Sequence, residues 1–201
     1  MGNFNIMKFI KLYEEFILAE TNSGERVALF PGRFMPVHNG HIEAFRRTSK
    51  EFKGLRVIPI QIVKAGPDSP FPRPLLEKIG KAVSQEFKGF LADWIVFPDS
   101  LKTVIPQMAK VVMDNGYDPV AMGCGADRLK DYQRQVDYLT SEKSDVKVSE
   151  FTVKSVMDRD EDGPSGTKVR ETLKDGTQKD FEKLVPKSVW PFYEELKSYI
   201  K

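Results

Sequence analysis

Val27-Ala28-Leu29-Phe30-Pro31-Gly32-Arg33-Phe34-Met35-Pro36-Val37-His38-Asn39-Gly40-His41-Ile42 is the stretch on which the fold turns. Its first four residues are apolar without alternation, the pattern of a strand buried on both faces. Pro31-Gly32 ends that run, and Pro36 and Gly40 keep the following loop short and turning. From Ile42 to Phe52 apolar residues recur at helical spacing. A buried strand that feeds a helix through a tight loop is the first half of a βαβ unit.

Working outward, the same alternation continues. Leu55–Val63 predicts a second strand and Leu75–Phe90 a second helix. Trp94–Phe97 predicts a third strand, followed by a helix from about Leu101 to Met113. Val120–Met122 predicts a fourth strand, then a polar helix from about Asp127. Val146–Val153 alternates like a fifth strand at a sheet edge. Right-handed crossovers between such elements give an α/β fold, a Rossmann-like doubly wound parallel sheet of five strands, whose ligands sit beyond the strands' carboxyl ends. C-terminal helices are expected near Thr167–Lys174, Thr177–Leu184 and Val189–Lys201. Upstream, Phe9, Leu12, Tyr13, Phe16 and Ile17 form the apolar stripe of an N-terminal amphipathic helix, and Thr21-Asn22-Ser23-Gly24 breaks it. Residues 1–22 are therefore an appendage and 23–201 one domain.

Composition sets the outer limits. The 201 residues bury a full single core. Thirty-one basic against 29 acidic residues leave a net charge of +2, which excludes a general nucleic-acid grip. No apolar run reaches the length of about 20 residues needed to span a bilayer. A single cysteine, Cys124, excludes an intrachain disulfide and makes a cysteine-built metal site implausible, so a reducing, cytoplasmic setting is expected. Met1-Gly2 does not extend to a myristoylation signal, because Ile6 stands where Ser or Thr is required. Oligomeric state is not legible, and a homo-oligomer stays open.

Both histidines of the chain, His38 and His41, lie on the first strand-to-helix turn. Helix N-termini offer unpaired N–H groups and the positive end of a dipole, so phosphates bind there. The imidazoles add donors, Arg33 adds a guanidinium, and Gly32 and Gly40 let backbone approach a ligand closely. Two competing readings stand beside this one. The pair as zinc ligands lacks a third ligand of matching character, so no protein-held metal is expected. The pair as ordinary cap and surface residues is weakened by a second segment far downstream. There Pro164-Ser165-Gly166-Thr167-Lys168-Val169-Arg170 places a hydroxyl cap before a helix whose first turn is basic. Cations are unfavourable at that end of a helix unless an anion is present.

Together these segments resemble the two signatures of the HxGH nucleotidyltransferase superfamily. His38-Asn39-Gly40-His41 matches the first in full, and Ser165-Gly166-Thr167-Lys168-Val169-Arg170 is similar to the second, written ISSTxxR. The phrase around Gly32-Arg33-Phe34 is closer to archaeal-type nicotinamide-mononucleotide adenylyltransferases than to members carrying GTFDP. Ser69-Pro70-Phe71 with Glu77-Lys78 resembles the stretch after that group's second strand, and Gly123-Cys124-Gly125-Ala126-Asp127-Arg128 resembles its loop after the fourth. Two departures stand out. Pro164 and Gly166 replace Ile and Ser, removing one hydroxyl contact, and Met35 replaces Asp or Gln.

The resemblance implies transfer of a nucleoside monophosphate from a nucleoside triphosphate, ATP rather than its rival CTP, onto a small phosphorylated acceptor, with pyrophosphate released and Mg²⁺ accompanying the nucleotide. His38 and His41 would contact the α- and β-phosphates. Arg33, Lys168 and Arg170 would neutralise the leaving pyrophosphate, and Ser165, Gly166 and Thr167 would bind the outer phosphates. Gly123, Gly125, Asp127 and Arg128 would hold the nucleoside. The acceptor is expected near Lys64, Asp68 and Arg73, against the plain reading of that loop as a Pro-rich connection. Lys11–Glu20 resembles the capsid-targeting leader of T-even-like phage internal proteins, cleaved after a Leu/Ile-x-Glu sequence that Leu18-Ala19-Glu20 fits. Asp158–Gly163 is similar to a run in nucleotidyltransferases of large tailed phages. This leaves open a virion-interior location and two rivals: a helix that merely docks, and a packaged nucleotide-binding protein without turnover. A class I aminoacyl-tRNA synthetase fragment shares the HxGH logic but lacks a KMSKS-like loop here.

Overall fold

The computed structural model describes residues 24–63, 69–148, 150–157 and 165–200. The N-terminal helix and its leader-like cleavage sequence lie outside these residues, as do Asp158–Gly163, Lys64 and Asp68.

Five strands form one sheet in the order β3-β2-β1-β4-β5, every pair parallel. They are β1 (Glu25–Gly32), β2 (Arg56–Gln61), β3 (Ile95–Val96), β4 (Tyr117–Gly125) and β5 (Thr152–Met157). The helices between them are α1 (Asn39–Glu51), α2 (Arg73–Glu86), α3 (Ile105–Asp114) and α4 (Leu129–Leu139). After β5 come α5 (Gly166–Asp175), α6 (Gln178–Leu184) and α7 (Tyr193–Ser198). This is the doubly wound, Rossmann-like arrangement that the sequence predicts, with its switch point between β1 and β4.

The two faces of the sheet carry separate cores. Ala28 and Phe30 of β1 face Phe45 of α1, Leu76 of α2 and the C-terminal helices through Val169 and Phe181. Val27 and Leu29 face Met108 and Val112 of α3 and Val136 and Leu139 of α4. Alternate residues of one strand serving opposite cores is what a strand buried on both faces requires.

Several boundaries differ from the sequence-based expectation. β4 begins three residues before Val120 despite Pro119, because the register against β1 shifts between Val27 and Ala28, where Pro119 sits. A proline in an interior strand is tolerated at such an irregularity. β5 starts at Thr152, not Val146. Val146 and Val148 do pack on the second core, but Ser144 Oγ donates to the Val146 carbonyl (2.8 Å) and accepts from its N–H (3.2 Å), and pairing with β4 begins only at Thr152. The last expected helix is interrupted: Lys187–Phe192 is a 3₁₀ turn holding Pro191, and α7 follows it.

Candidate active site

The loop from β1 to α1 turns sharply. Phe34 has a φ of 45°, the left-handed region that costs a bulky residue of order 1–3 kcal/mol, and the Met35–Pro36 peptide is cis. The Phe34 ring folds back over the end of β1, where a Cβ on Gly32 would lie 2.4 Å from it. Gly32 is thus demanded by the Phe34 ring itself. The ring also meets His41, Phe45 and Trp94 edge-on at centroid distances of 4.9, 5.3 and 5.3 Å.

His38 is the extended residue before α1, with φ −140° and ψ 170°. Its carbonyl accepts the first helical bonds, from His41 N–H (2.9 Å) and Ile42 N–H (3.3 Å). The N–H groups of Asn39 and Gly40 therefore head the helix. His38 N–H in turn donates to His41 Nδ1 at 3.3 Å. An Nδ1 that accepts is bare, which puts the His41 proton on Nε2. The two rings stack at 3.6 Å. Burial holds the His38 pKa down at about 4. Burial, and after it the charge His38 would carry, holds His41 well below 6.5. Both imidazoles are neutral at pH 7. His38 Nδ1 is buried and has no hydrogen-bond partner among the described residues.

The second segment comes to the same place. Ser165 caps α5, its Oγ accepting from Lys168 N–H at 3.1 Å. Arg170, one turn on, donates through Nη1 to the Met35 carbonyl at 2.8 Å, across 135 residues of sequence. Its Nη2 lies 3.4 Å from Thr167 Oγ1. A Cβ on Gly166 would stand 3.1 Å from the Met35 oxygen, so a small residue there allows the approach. A second tie runs from Asn39 Nδ2 to the Lys183 carbonyl of α6 at 3.1 Å. The N-termini of α1 and α5 are thus held side by side, His38 and His41 on one and Ser165, Thr167 and Lys168 on the other. Neither helix has an acidic residue in its first turn.

β4 pairs with β1 as far as Met122, on the strand pair where the topology reverses; Gly123 and Gly125 end the strand and Asp127 follows on a 3₁₀ turn. Gly123 has a packing reason of its own: a Cβ there would lie 2.4 Å from Thr48 Oγ1 of α1. Likewise a Cβ on Gly125 would stand 2.7 Å from Asp127 Oδ1. Asp127 and the exposed Arg128 approach to 3.7 Å. Cys124 is buried beneath this loop with its thiol pushed up to about 11, by burial first and then by Asp127, which suits packing and not chemistry.

Arg73, expected near the acceptor, is occupied in bracing. Its guanidinium donates to the Val96 carbonyl (3.0 Å), the Phe97 carbonyl (2.6 Å) and Asp99 (2.8 Å), tying α2 to the end of β3. Beside it a cleft of about 660 Å³ opens, lined by Ile62, Val63, Phe97, Leu101 and Lys102 among others. Ile62 N–H donates to the Gly32 carbonyl at 2.8 Å, so this cleft adjoins the end of β1.

Sequence reading missed Gln61 and Trp94, which support the turn from beneath. Gln61 is the lone polar residue inside the run Val57–Val63, and that was the available signal.

Fold and site together define a Rossmann-like α/β protein in which two helix N-termini lie side by side. No family profile matches the sequence, and no curated relative is similar enough to be matched to it. Solved structures do share the fold. Plasmodium falciparum nicotinic acid mononucleotide adenylyltransferase complexed with APC superposes with a TM-score of 0.53 at 11% identity, covering 87% of this chain and 98% of that one. Plasmodium falciparum nicotinic acid mononucleotide adenylyltransferase complexed with NaAD gives 0.52 at 10% identity, covering 87% and 97%. Among the described residues no helix is long and apolar enough to cross a membrane.

Proposed function

We propose that the chain is a nucleotidyltransferase that moves AMP from ATP onto a phosphomonoester acceptor of the nicotinamide-mononucleotide type and releases pyrophosphate. The observation that carries this reading is the Arg170–Met35 hydrogen bond of 2.8 Å, which brings the basic start of α5 against the histidine turn. Neither segment alone separates phosphate binding from ordinary helix capping. Side by side they form a cationic, carboxylate-poor edge suited to a triphosphate.

In the proposed reaction an acceptor phosphate oxygen attacks the α-phosphorus in line and pyrophosphate leaves. Catalysis is then positioning plus stabilisation of charge, with no covalent enzyme intermediate. The neutral His41 donates from Nε2, its proton kept there by the bond that Nδ1 accepts. A neutral donor of this kind stabilises developing negative charge without itself titrating near pH 7. Lys168 and Arg170 supply positive charge to the departing oxygens, and Ser165 fixes the amides of the α5 first turn. Asp127 and the backbone beyond β4 take the nucleoside, and the cleft beside Gly32 takes the acceptor. Among the described residues no cluster of His, Cys, Asp or Glu is built to hold a metal. Mg²⁺ would accompany the nucleotide and supply charge neutralisation for its phosphates.

Pyrophosphate release, read through added pyrophosphatase with ATP or CTP and a panel of phosphomonoesters, tests the proposal. Nicotinic acid and nicotinamide mononucleotides are the first acceptors, since the fold is shared with adenylyltransferases of that substrate. Turnover with CTP alone would move the donor assignment. No turnover with any pair would leave a nucleotide-binding protein at most.

A further inference from the structure

Gln61 ends β2 and is 1% exposed. A buried amide needs all its hydrogen bonds, and this one has three. Its Oε1 accepts from Trp94 Nε1 at 2.9 Å, and its Nε2 donates to the carbonyls of Arg33 at 3.2 Å and Phe34 at 3.0 Å. The amide's orientation follows from its partners. An indole N–H only donates and a carbonyl only accepts, so oxygen must face Trp94 and nitrogen the turn.

Those two carbonyls belong to the peptide planes on either side of Phe34. Gripping both fixes φ and ψ of the one residue that holds a left-handed conformation in the site, φ 45°. A phenylalanine does not rest there unaided. Held so, its ring lies over Gly32 and against the edge of His41, 4.9 Å between centroids. Trp94 closes the frame: it contacts Phe34 at 5.3 Å and Phe45 at 5.9 Å. Trp94 also packs against α2, where a Cβ on Gly80 would come within 2.2 Å of the indole.

The geometry points to Gln61 as a positioning residue, oriented by Trp94, that sets the Arg33–Phe34 turn and through the Phe34 ring the place of His41. That Gln61 positions catalysis rests on the function proposed above; that it positions the His41 ring does not.

The test joins one readout of each kind. The chain has two histidines, so a ring ¹H–¹⁵N correlation spectrum contains two sets of signals, assigned with His38→Ala. In Gln61→Met, which keeps the side-chain length and loses the amide, the His41 pattern of protonated Nε2 and bare Nδ1 is expected to shift and mix. The rate constant kcat for pyrophosphate release is expected to fall on the order of 100-fold, the effect of about 1 Å of misplacement. KM for the triphosphate should stay within about threefold. Trp94→Phe, which leaves the amide free to turn over, should move the same signals and lower kcat by a smaller factor. Folded Gln61→Met with wild-type His41 signals and kcat within about threefold overturns the inference, whatever happens to its melting temperature. If Gln61→Met is recovered only unfolded, Trp94→Phe decides on the same criteria. If the wild-type chain releases no pyrophosphate, the proposed function falls, and the ring spectrum alone then decides for or against Gln61.

Discussion

Replacing Gly123 by alanine should destabilise the protein through α1, and a second substitution at Thr48 should relieve much of the damage. The added Cβ would stand 2.4 Å from Thr48 Oγ1, 2.8 Å from its Cγ2 and 3.1 Å from its Cβ. Thr48 is fully buried and its Oγ1 is tied to the Ala44 carbonyl at 2.8 Å, so it has no rotamer to retreat to. The helix must move off the sheet instead. Overpacking of this kind costs about 1–3 kcal/mol, which for a chain of this size lowers Tm by roughly 3–10 °C. Thr48→Ala removes Oγ1 and Cγ2 and leaves only the 3.1 Å neighbour. In a double-mutant cycle read from urea denaturation, the pair should therefore be at least about 1 kcal/mol more stable than the sum of the singles. Costs that add to within about 0.5 kcal/mol would refute the packing account. The same four proteins test Gly123 as a nucleotide contact: if the double variant refolds to full stability yet binds no ATP, the glycine faces the ligand as well as the helix.

Three further outcomes follow from the same structure. Because burial depresses the His38 pKa from 6.5 to about 4, the unfolded chain binds more protons than the native one between those values. Stability is complete above pH 6.5 and declines as pH falls through that window, by about 2 kcal/mol from His38 between pH 7.5 and 5; urea midpoints that stay level down to pH 5 would contradict this. Asn39→Ala loses the tie to Lys183 and should cost about 1 kcal/mol, a drop in Tm of roughly 2–4 °C by calorimetry. Arg170→Lys keeps the charge but not the planar fork that reaches the Met35 carbonyl, so pyrophosphate release should fall at least about tenfold while far-UV dichroism is unchanged.

How far the sequence reaches is visible in single elements. The run Val27–Phe30, the helical spacing after Ile42 and the later alternation of apolar runs with helical patterns are enough to specify a doubly wound sheet, because the inner strands are apolar on both faces. The two helix N-termini are legible because such ends advertise themselves, here through the Ser165 cap and a basic first turn. Pro119 misleads, since a register shift that accommodates proline is a property of the pair β1–β4 and not of either strand. Val146 and Val148 mislead for a related reason: burial gives them the periodicity of a strand although their backbone turns. Arg73 shows the limit for charged residues. Its bonds to the carbonyls of Val96 and Phe97, 23 and 24 residues away, follow from no local pattern. Gln61 shows the converse, a polar residue in an apolar strand whose partners, 27 and 33 residues away, no local pattern identifies.

The claim beneath all of this is that α1 and α5 present one triphosphate site. Titrating ¹⁵N-labelled protein with ATP and Mg²⁺ and following backbone amides tests it most directly. The amides of Asn39, Gly40 and His41 and those of Gly166, Thr167 and Lys168 should shift together, along curves that fit a single Kd. Shifts confined to one helix, or two sets that saturate at different ATP concentrations, would contradict it.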